Sequence, residues 1–195
     1  MDLSPITLEG QFVKLVPLTL EHRDALVNAA SDGKLWELWF TSVPNEERVD
    51  DYLNMAFEQQ SLGRAIPFAV IDKHTDEVIG STRFCNIDSK NRRLEIGYTW
   101  YAKRFQRTGV NTDCKKLLLS YAFETLNVIA VEFRTHWHNQ ASRNAIARLG
   151  AKQDGVLRNH QIMADGCVRD TVVFSIIDGE WPMVKRSLEF KLEQL

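Results

Sequence analysis

The sequence predicts a mixed α/β protein, and three observations lead there. Runs of β-branched and aromatic residues recur along the chain, and two of them, 66–71 and 78–84, flank the turn residues His74-Thr75-Asp76, which marks a hairpin. Other stretches repeat their apolar residues every three or four positions, the period of one buried helical face: Val49, Tyr52, Leu53, Ala56 and Phe57, and later Leu117, Leu118, Tyr121, Ala122 and Leu126. The two kinds of stretch succeed one another without a repeat, a low-complexity linker or a break in composition. Residues 1–195 therefore read as one domain, with a core over about 12–178 and a terminal helix over about 180–195.

Taken in order, residues 12–16 have strand composition and stop at Pro17. Thr19, His22 and Asp24 then open a helix over 20–30, which Asp32 and Gly33 end. The stretch up to Val43 holds Trp36, Trp39 and Phe40 close together, which is unusual for a solvated loop. A second helix is expected to begin over 44–47. After the hairpin, residues 92–100 give a third strand, introduced by Asp88-Ser89-Lys90-Asn91. The period turns helical over 111–126, strand-like over 128–137, and helical again over 141–149, where Gly150 ends it. Residues 168–177 alternate as a closing strand after Asp165-Gly166, and Pro182 sits where a last helix would begin.

Composition narrows the classes. Hydrophobic residues make up 44% and charged residues 26% of the chain, with a mean hydropathy of -0.27, as expected of a soluble globular protein. Against 26 Asp and Glu stand 24 Lys and Arg, a formal net charge of -2, which gives no global pull toward nucleic acid or anionic lipid. No stretch reaches the roughly 18 apolar residues of a membrane span. The start of the chain, with Asp2, Pro5 and Glu9, does not have the pattern of an export signal. Cys85, Cys114 and Cys167 are far apart, odd in number and without metal-ligand spacing, so they are expected to be reduced thiols in cytoplasm, with no metal bound.

Two strand-to-helix junctions carry the chemistry. Gln106-Arg107-Thr108-Gly109-Val110-Asn111 lies between a strand ending near Trp100 and the helix that follows. Free N–H groups and the positive end of the helix dipole make such a place suited to phosphate, and Lys103, Arg104 and Arg107 add local positive charge. The same residues would also serve as an ordinary surface turn. At the second junction Asn139 and Ser142 open the helix over 141–149, where Asn139 can cap the helix, hold an amide-bearing ligand, or do both.

With these residues in place, the chain resembles the GCN5-related N-acetyltransferase (GNAT) superfamily, in its RimJ/RimL-like branch, over nearly its whole length. Gln106-x-x-Gly109-x-Asn111 is similar to the family's acetyl-CoA pyrophosphate loop, with Glu95-Ile96-Gly97-Tyr98 on the strand before it. Asn139-x-x-Ser142 with Leu149-Gly150-Ala151 resembles the next block, and Gly155-Val156-Leu157-Arg158 with Asp165-Gly166-x-x-Arg169-Asp170 resembles the C-terminal hairpin. One departure is Asn111, where the short family pattern has Gly or Ala; Asn tolerates the left-handed backbone better than most residues. The resemblance implies a central, mostly antiparallel sheet flanked by helices, in which the neighbouring strands 92–100 and 128–137 splay apart around acetyl-CoA. It implies acetyl transfer to a primary amine, a protein N-terminus or a small amine, by direct attack in a ternary complex. Gln106, Arg107, Thr108, Gly109, Val110, Asn111, Asn139 and Ser142 would hold the cofactor.

The resemblance also places Glu95 as the proton acceptor for the attacking amine, with a strand ion pair to Arg92 or Arg93 as the alternative. His136, His138 and His160 are further candidates. Ser142 would either protonate the leaving thiolate or hold the pantetheine. Trp36, Trp39 and Phe40 fall in the connection that overhangs the acceptor site in this superfamily, where they would wall an acceptor pocket or fill a core beneath the loop. A catalytically inactive acyl-CoA sensor is the alternative function, and a homodimer is left open.

Overall fold

The computed structural model describes residues 1–195. Its strands are β1 (Leu8–Glu9), β2 (Val13–Pro17), β3 (Ile66–Asp72), β4 (Val78–Asp88), β5 (Arg93–Tyr101), β6 (Ala130–His136), β7 (Lys152–Ile162) and β8 (Val168–Ile177). The helices are α1 (Arg23–Ser31), α2 (Val49–Ser61), α3 (Val110–Ser120), α4 (Gln140–Leu149) and α5 (Trp181–Glu193). All eight strands form one sheet in the order β1-β2-β3-β4-β5-β6-β8-β7. Every neighbouring pair is antiparallel except β5 and β6, which are parallel and joined by the crossover through α3.

The sheet is covered on both faces, which is why its central strands read as continuous apolar runs. On one face Leu15, Phe68, Phe84, Leu94, Val131 and Phe133 pack under Leu118 and Leu119 of α3 and Trp181, Val184 and Leu188 of α5. On the other, Ala69 and Trp100 pack under Leu26 of α1 and Tyr52 and Leu53 of α2. This second cover stops short of β6 and β8, so their outer residues Glu132, Arg134 and Arg169 remain beside an open surface.

Two helices differ in their bounds from the sequence expectation, and two strands gave no periodic signal. The second helix begins at Val49, because the Asn45 side chain and carbonyl both accept the Arg48 N–H (3.1 and 3.2 Å) and hold 45–48 in a turn. The helix expected over 111–126 ends at Ser120 and continues as a π-type turn over Tyr121–Thr125, closed by Leu126 N–H donating to the Tyr121 carbonyl. Within that turn Glu124 accepts from Trp181 Nε1 and Lys185 Nζ (both 2.8 Å), which ties it to α5. Strand β1 is too short to leave a periodic signal, and most residues of β7 are exposed at the sheet edge, without the alternation that marks a half-buried strand.

Asp113, in the first turn of α3, fixes the N-terminal strand. Its buried carboxylate accepts the backbone N–H groups of Phe12 (2.7 Å) and Val13 (3.1 Å), about a hundred residues away in sequence. Asp113→Ala strips both bonds and leaves two N–H groups without a partner, a loss of about 3 kcal/mol. A fall in Tm of roughly 6–12 °C in thermal unfolding is expected for a chain of this size, and a fall of under about 2 °C would show that water replaces the carboxylate.

Candidate active site in the split sheet

The parallel ladder between β5 and β6 is short: Arg93 pairs with Ala130, Leu94 with Val131, and Glu95 with Glu132, and there it ends. Beyond Glu95 each strand keeps only its outer neighbour. β5 stays paired with β4 as far as Tyr101 opposite Gly80, and β6 stays paired with β8 as far as His136 opposite Thr171. The two inner edges diverge into a wedge whose backbone groups have no ladder partner, a place for a ligand that carries amides of its own.

A β-bulge shapes the β5 side of the wedge. Ser81 pairs with Trp100 and Arg83 with Gly97, so Tyr98 and Thr99 face the single residue Thr82. Tyr98 adopts φ 51°, an unusual backbone for a bulky residue, and the bulge sends Tyr98 and Thr99 to opposite faces. Thr99 bonds to Thr82 Oγ1 (2.7 Å) and accepts from Lys115 Nζ of α3 (2.6 Å). Lys115 has no carboxylate partner, and burial lowers its pKa to about 8.

Glu95 stands at the apex of the wedge and is 8% exposed. Its Oε2 accepts from Asn86 Nδ2 (2.8 Å) and lies 3.6 Å from Arg134 Nε. Burial raises its pKa above the usual carboxylate range, and these two partners only partly oppose that. Arg93 pairs with Glu132 instead, and Arg92 donates to the Asn127 carbonyl, so the expected strand ion pair with Glu95 does not form. A cavity of about 190 Å³ bounded by Asn86, Asp88, Arg93, Glu95, Glu132 and Arg134 opens beside the carboxylate. Gly97 lets Glu95 lean along the strand, since a Cβ there would come within 3.1 Å of Glu95 Oε1.

At the other end of the wedge lies the loop before α3. Asp113 N–H donating to the Gly109 carbonyl is the first bond of the helix, so the N–H groups of Gly109, Asn111 and Thr112 have no helical partner. Thr108 Oγ1 takes the Val110 N–H (3.3 Å) and itself donates to the Phe105 carbonyl (2.7 Å). Gln106 Nε2 donates to the Tyr101 carbonyl, Arg107 adopts φ 61°, and Asn111 Oδ1 accepts from Tyr101 Oη. The Asn111 side chain thus turns toward the sheet. Val110 is buried in the core, so only its backbone faces the loop. A Cβ on Gly109 would come within 2.7 Å of Leu195 Cδ1 and 2.8 Å of Phe12 Cε2, so close packing there accounts for glycine. Arg104 is committed to Asp32 and Glu77, which leaves Lys103 and Arg107 as the unpaired cations.

Asn139 caps α4, its Oδ1 accepting the Ser142 N–H (3.0 Å), just beyond the end of β6. The connection after α1 divides its aromatic residues. Trp36 packs into the core under α1 and α2, whereas Trp39 is 57% exposed and lies edge-on to Phe40 (5.4 Å) and His136 (4.9 Å). His136 Nδ1 accepts the His138 N–H (3.0 Å), so the neutral ring carries its proton on Nε2. His160 lies further along the hairpin, paired with Thr171 Oγ1 (3.0 Å).

Comparison with known proteins decides the family. Residues 13–152 match the family described as "Acetyltransferase (GNAT) domain". The chain belongs to the GNAT acetyltransferases. It is 29% identical over 176 residues to an uncharacterized N-acetyltransferase, p20, of Bacillus licheniformis, covering 90% of this chain and 98% of that one. It is 25% identical over 130 residues to the ribosomal protein uS5 alanine N-acetyltransferase of Escherichia coli, covering 66% of each. The crystal structure of a GCN5-related N-acetyltransferase from Brucella melitensis superposes with a TM-score of 0.88 at 30% identity, over 97% of this chain and 86% of the other. Mycobacterium smegmatis RimJ, in complex with CoA-disulfide, shares the fold at 21% identity and a TM-score of 0.78, over 96% of this chain and 93% of its own.

In this GNAT protein the fold packs Trp39 and Phe40 against His136, four residues along β6 from Glu132, the partner of Glu95, and places 106–111 at the start of α3. Trp36 falls outside that cluster. Sequence reasoning missed Arg83, Arg134 and Lys115, which are isolated cations in strand or helix patterns and carry no motif. No helix is long and apolar enough to cross a membrane.

His136 is 4% exposed, and burial lowers its pKa, with Arg169 and His138 acting in the same direction. Trp39→Ala opens one side of the ring and relieves that burial. The His136 pKa, followed by NMR titration of its ring protons, is expected to rise toward the ordinary value of about 6.5. An unchanged value would mean that Trp39 does not shield it.

Proposed function

We propose that the chain transfers the acetyl group of acetyl-CoA to a primary amine by direct attack in a ternary complex. The observation that carries this reading is a buried carboxylate, Glu95, at the apex of a wedge whose far end is a helix N-terminus with unpaired N–H groups. The N–H groups of Gly109, Asn111 and Thr112, with Lys103 and Arg107, would hold the pyrophosphate. The unpaired edge of β5 would bond the pantetheine amides, and its N–H groups would steady charge developing on the thioester oxygen. Asn139 keeps its Nδ2 free while capping α4, and Ser142 is best suited to holding the pantetheine.

Glu95 would take the proton of the attacking amine, directly or through water, and burial suits it to the task by making its carboxylate more basic. Burial also pushes the Cys85 thiol well up, and Cys114 is likewise buried with its pKa raised, which favours direct attack over an acyl-cysteine route. Trp39 and Phe40 would wall the acceptor site. The E. coli relative is named for acting on an alanine of a ribosomal protein, which supports a protein N-terminus as one class of acceptor.

Glu95→Gln tests the assignment. Loss of a general base lowers turnover by about 10²–10⁴-fold, whereas loss of a surface ion pair would barely change it. The deficit should shrink as pH rises and more amine arrives deprotonated. Stability moves the other way. A carboxyl whose pKa is raised on folding holds its proton more tightly in the folded state, so its contribution declines as pH rises from the usual Glu range through the raised value. Above that value the charged form is a net cost, and Glu95→Gln should melt no lower than the parent at neutral pH. Acetyl-CoA should raise the Tm of both proteins. Turnover within a few-fold of the parent, measured as CoA release with N-terminal peptides and small amines, would remove Glu95 from the chemistry. CoA release by neither protein with any amine would favour an acyl-CoA sensor.

A further inference from the structure

Arg83, in the middle of β4, is 1% exposed, yet its Nε and Nη2 atoms have no hydrogen-bond partner, and it enters no ion pair. Its guanidinium lies over the Tyr98 ring (4.0 Å) on one side and the Tyr52 ring (4.8 Å) on the other. Two aromatic faces offset part of the cost of burying a cation, but they leave its planar donor edge without a hydrogen-bond partner. A buried guanidinium with free donors at the same edge is a ready receptor for a carboxylate, which it can grip through two parallel bonds.

Its surroundings say which carboxylate. Arg83 pairs across the ladder with Gly97, and Cys85 pairs with Glu95, so Arg83 and Glu95 project from the same face on adjacent strands. Glu95 leans over Gly97, toward the position opposite Arg83, but the two do not form an ion pair. A second cation, Arg169 of β8, is half-buried near Glu95 and Tyr98, with Thr171 Oγ1 (3.2 Å) as its one hydrogen-bond partner. One face of adjacent strands thus carries an acid and an unpaired guanidinium, the latter covered by Tyr52 and by Tyr98, itself 39% exposed; together they are the complement of an ammonium and a carboxylate carried by one small group that enters past Tyr98.

We propose that Arg83, between Tyr52 and Tyr98, selects the acceptor by binding a carboxylate that lies one or two carbons from the amine to be acetylated. The proposal rests on the acetyltransferase reading of this site. Two sources present that chemistry: the α-carboxylate of a free amino acid, and the side-chain carboxylate of an acidic residue at a peptide's N-terminus.

The experiment compares two substrate pairs with acetyl-CoA: a free amino acid against its amide, and a peptide beginning with Asp against one beginning with Asn. The acid should be preferred in one pair by roughly 10- to 100-fold in kcat/KM, and the pair that shows the preference identifies the source. Arg83→Gln should bring the two members of that pair within a few-fold of each other. Because the side chain is buried and unpaired, Arg83→Met should melt at or above the parent, and acetyl-CoA should still raise its Tm. As a readout independent of turnover, the N-acetylated acid should stabilise the parent and not Arg83→Gln. Equal use of acid and amide in both pairs, or a preference that survives in Arg83→Gln, overturns the proposal while leaving acetyl transfer intact. Should Arg83→Gln not fold, the acid-to-amide comparison in the parent decides. CoA release from no amine at all would instead overturn the acetyltransferase reading, and binding of the N-acetylated acid would then decide Arg83 separately.

Discussion

The site depends on one interruption: the β5–β6 ladder stops at Glu95 and Glu132. A sheet that gives up hydrogen bonds in its middle loses stability unless each strand is held elsewhere, and here β4 and β8 hold the two strands along their full length. Each strand is therefore anchored on its outer side while its inner edge turns away from the other. Its apex places Glu95 where it is largely shielded from water, and its far end meets α3, whose position Asp113 fixes through the N-terminal strand.

The bulge at Tyr98 and Thr99 distributes the consequences of that split over both faces. One residue turns toward Arg83, the other toward Lys115 of α3, the helix that follows the 106–111 loop. Both cations are buried without a carboxylate, and Glu95 is buried with partners that only partly offset its desolvation. Three charged groups kept in such surroundings are costly to the fold. Costs of this kind concentrate where a protein binds or reacts, and the packed apolar layers on either side of the sheet are what can sustain them.

The order of the elements was legible because apolar period is a local property. The hairpin of β3 and β4, the helical face of α2 and the closing strand 168–177 each follow from a few residues read in order, and β8 begins and ends where the alternation does. The loop before α3 was legible as a candidate for a different reason: Gln106 to Asn111 carry a spacing that resembles a known family. What failed locally failed for tertiary reasons. Nothing between Asn111 and Leu126 announces the π-type turn, which is held by Glu124 against α5. Nor does any local pattern say why Gly109 is glycine: Phe12 and Leu195, at opposite ends of the chain, leave no room there for a side chain.

Sequence alone thus determined the fold class, the family resemblance, and Glu95 and the 106–111 loop as candidates. Only the tertiary structure decided their surroundings. Trp36 and Trp39 stand three residues apart with the same chemistry, and packing against α1 and α2 buries one while the other lies against His136. Arg92 and Arg93 adjoin Glu95 in sequence, yet its cationic neighbour is Arg134 from another strand. Arg83 reads as one more charge in a strand. Burial and the absence of a partner, which give it meaning, depend on what every other segment does, and no local pattern in the chain can carry that information.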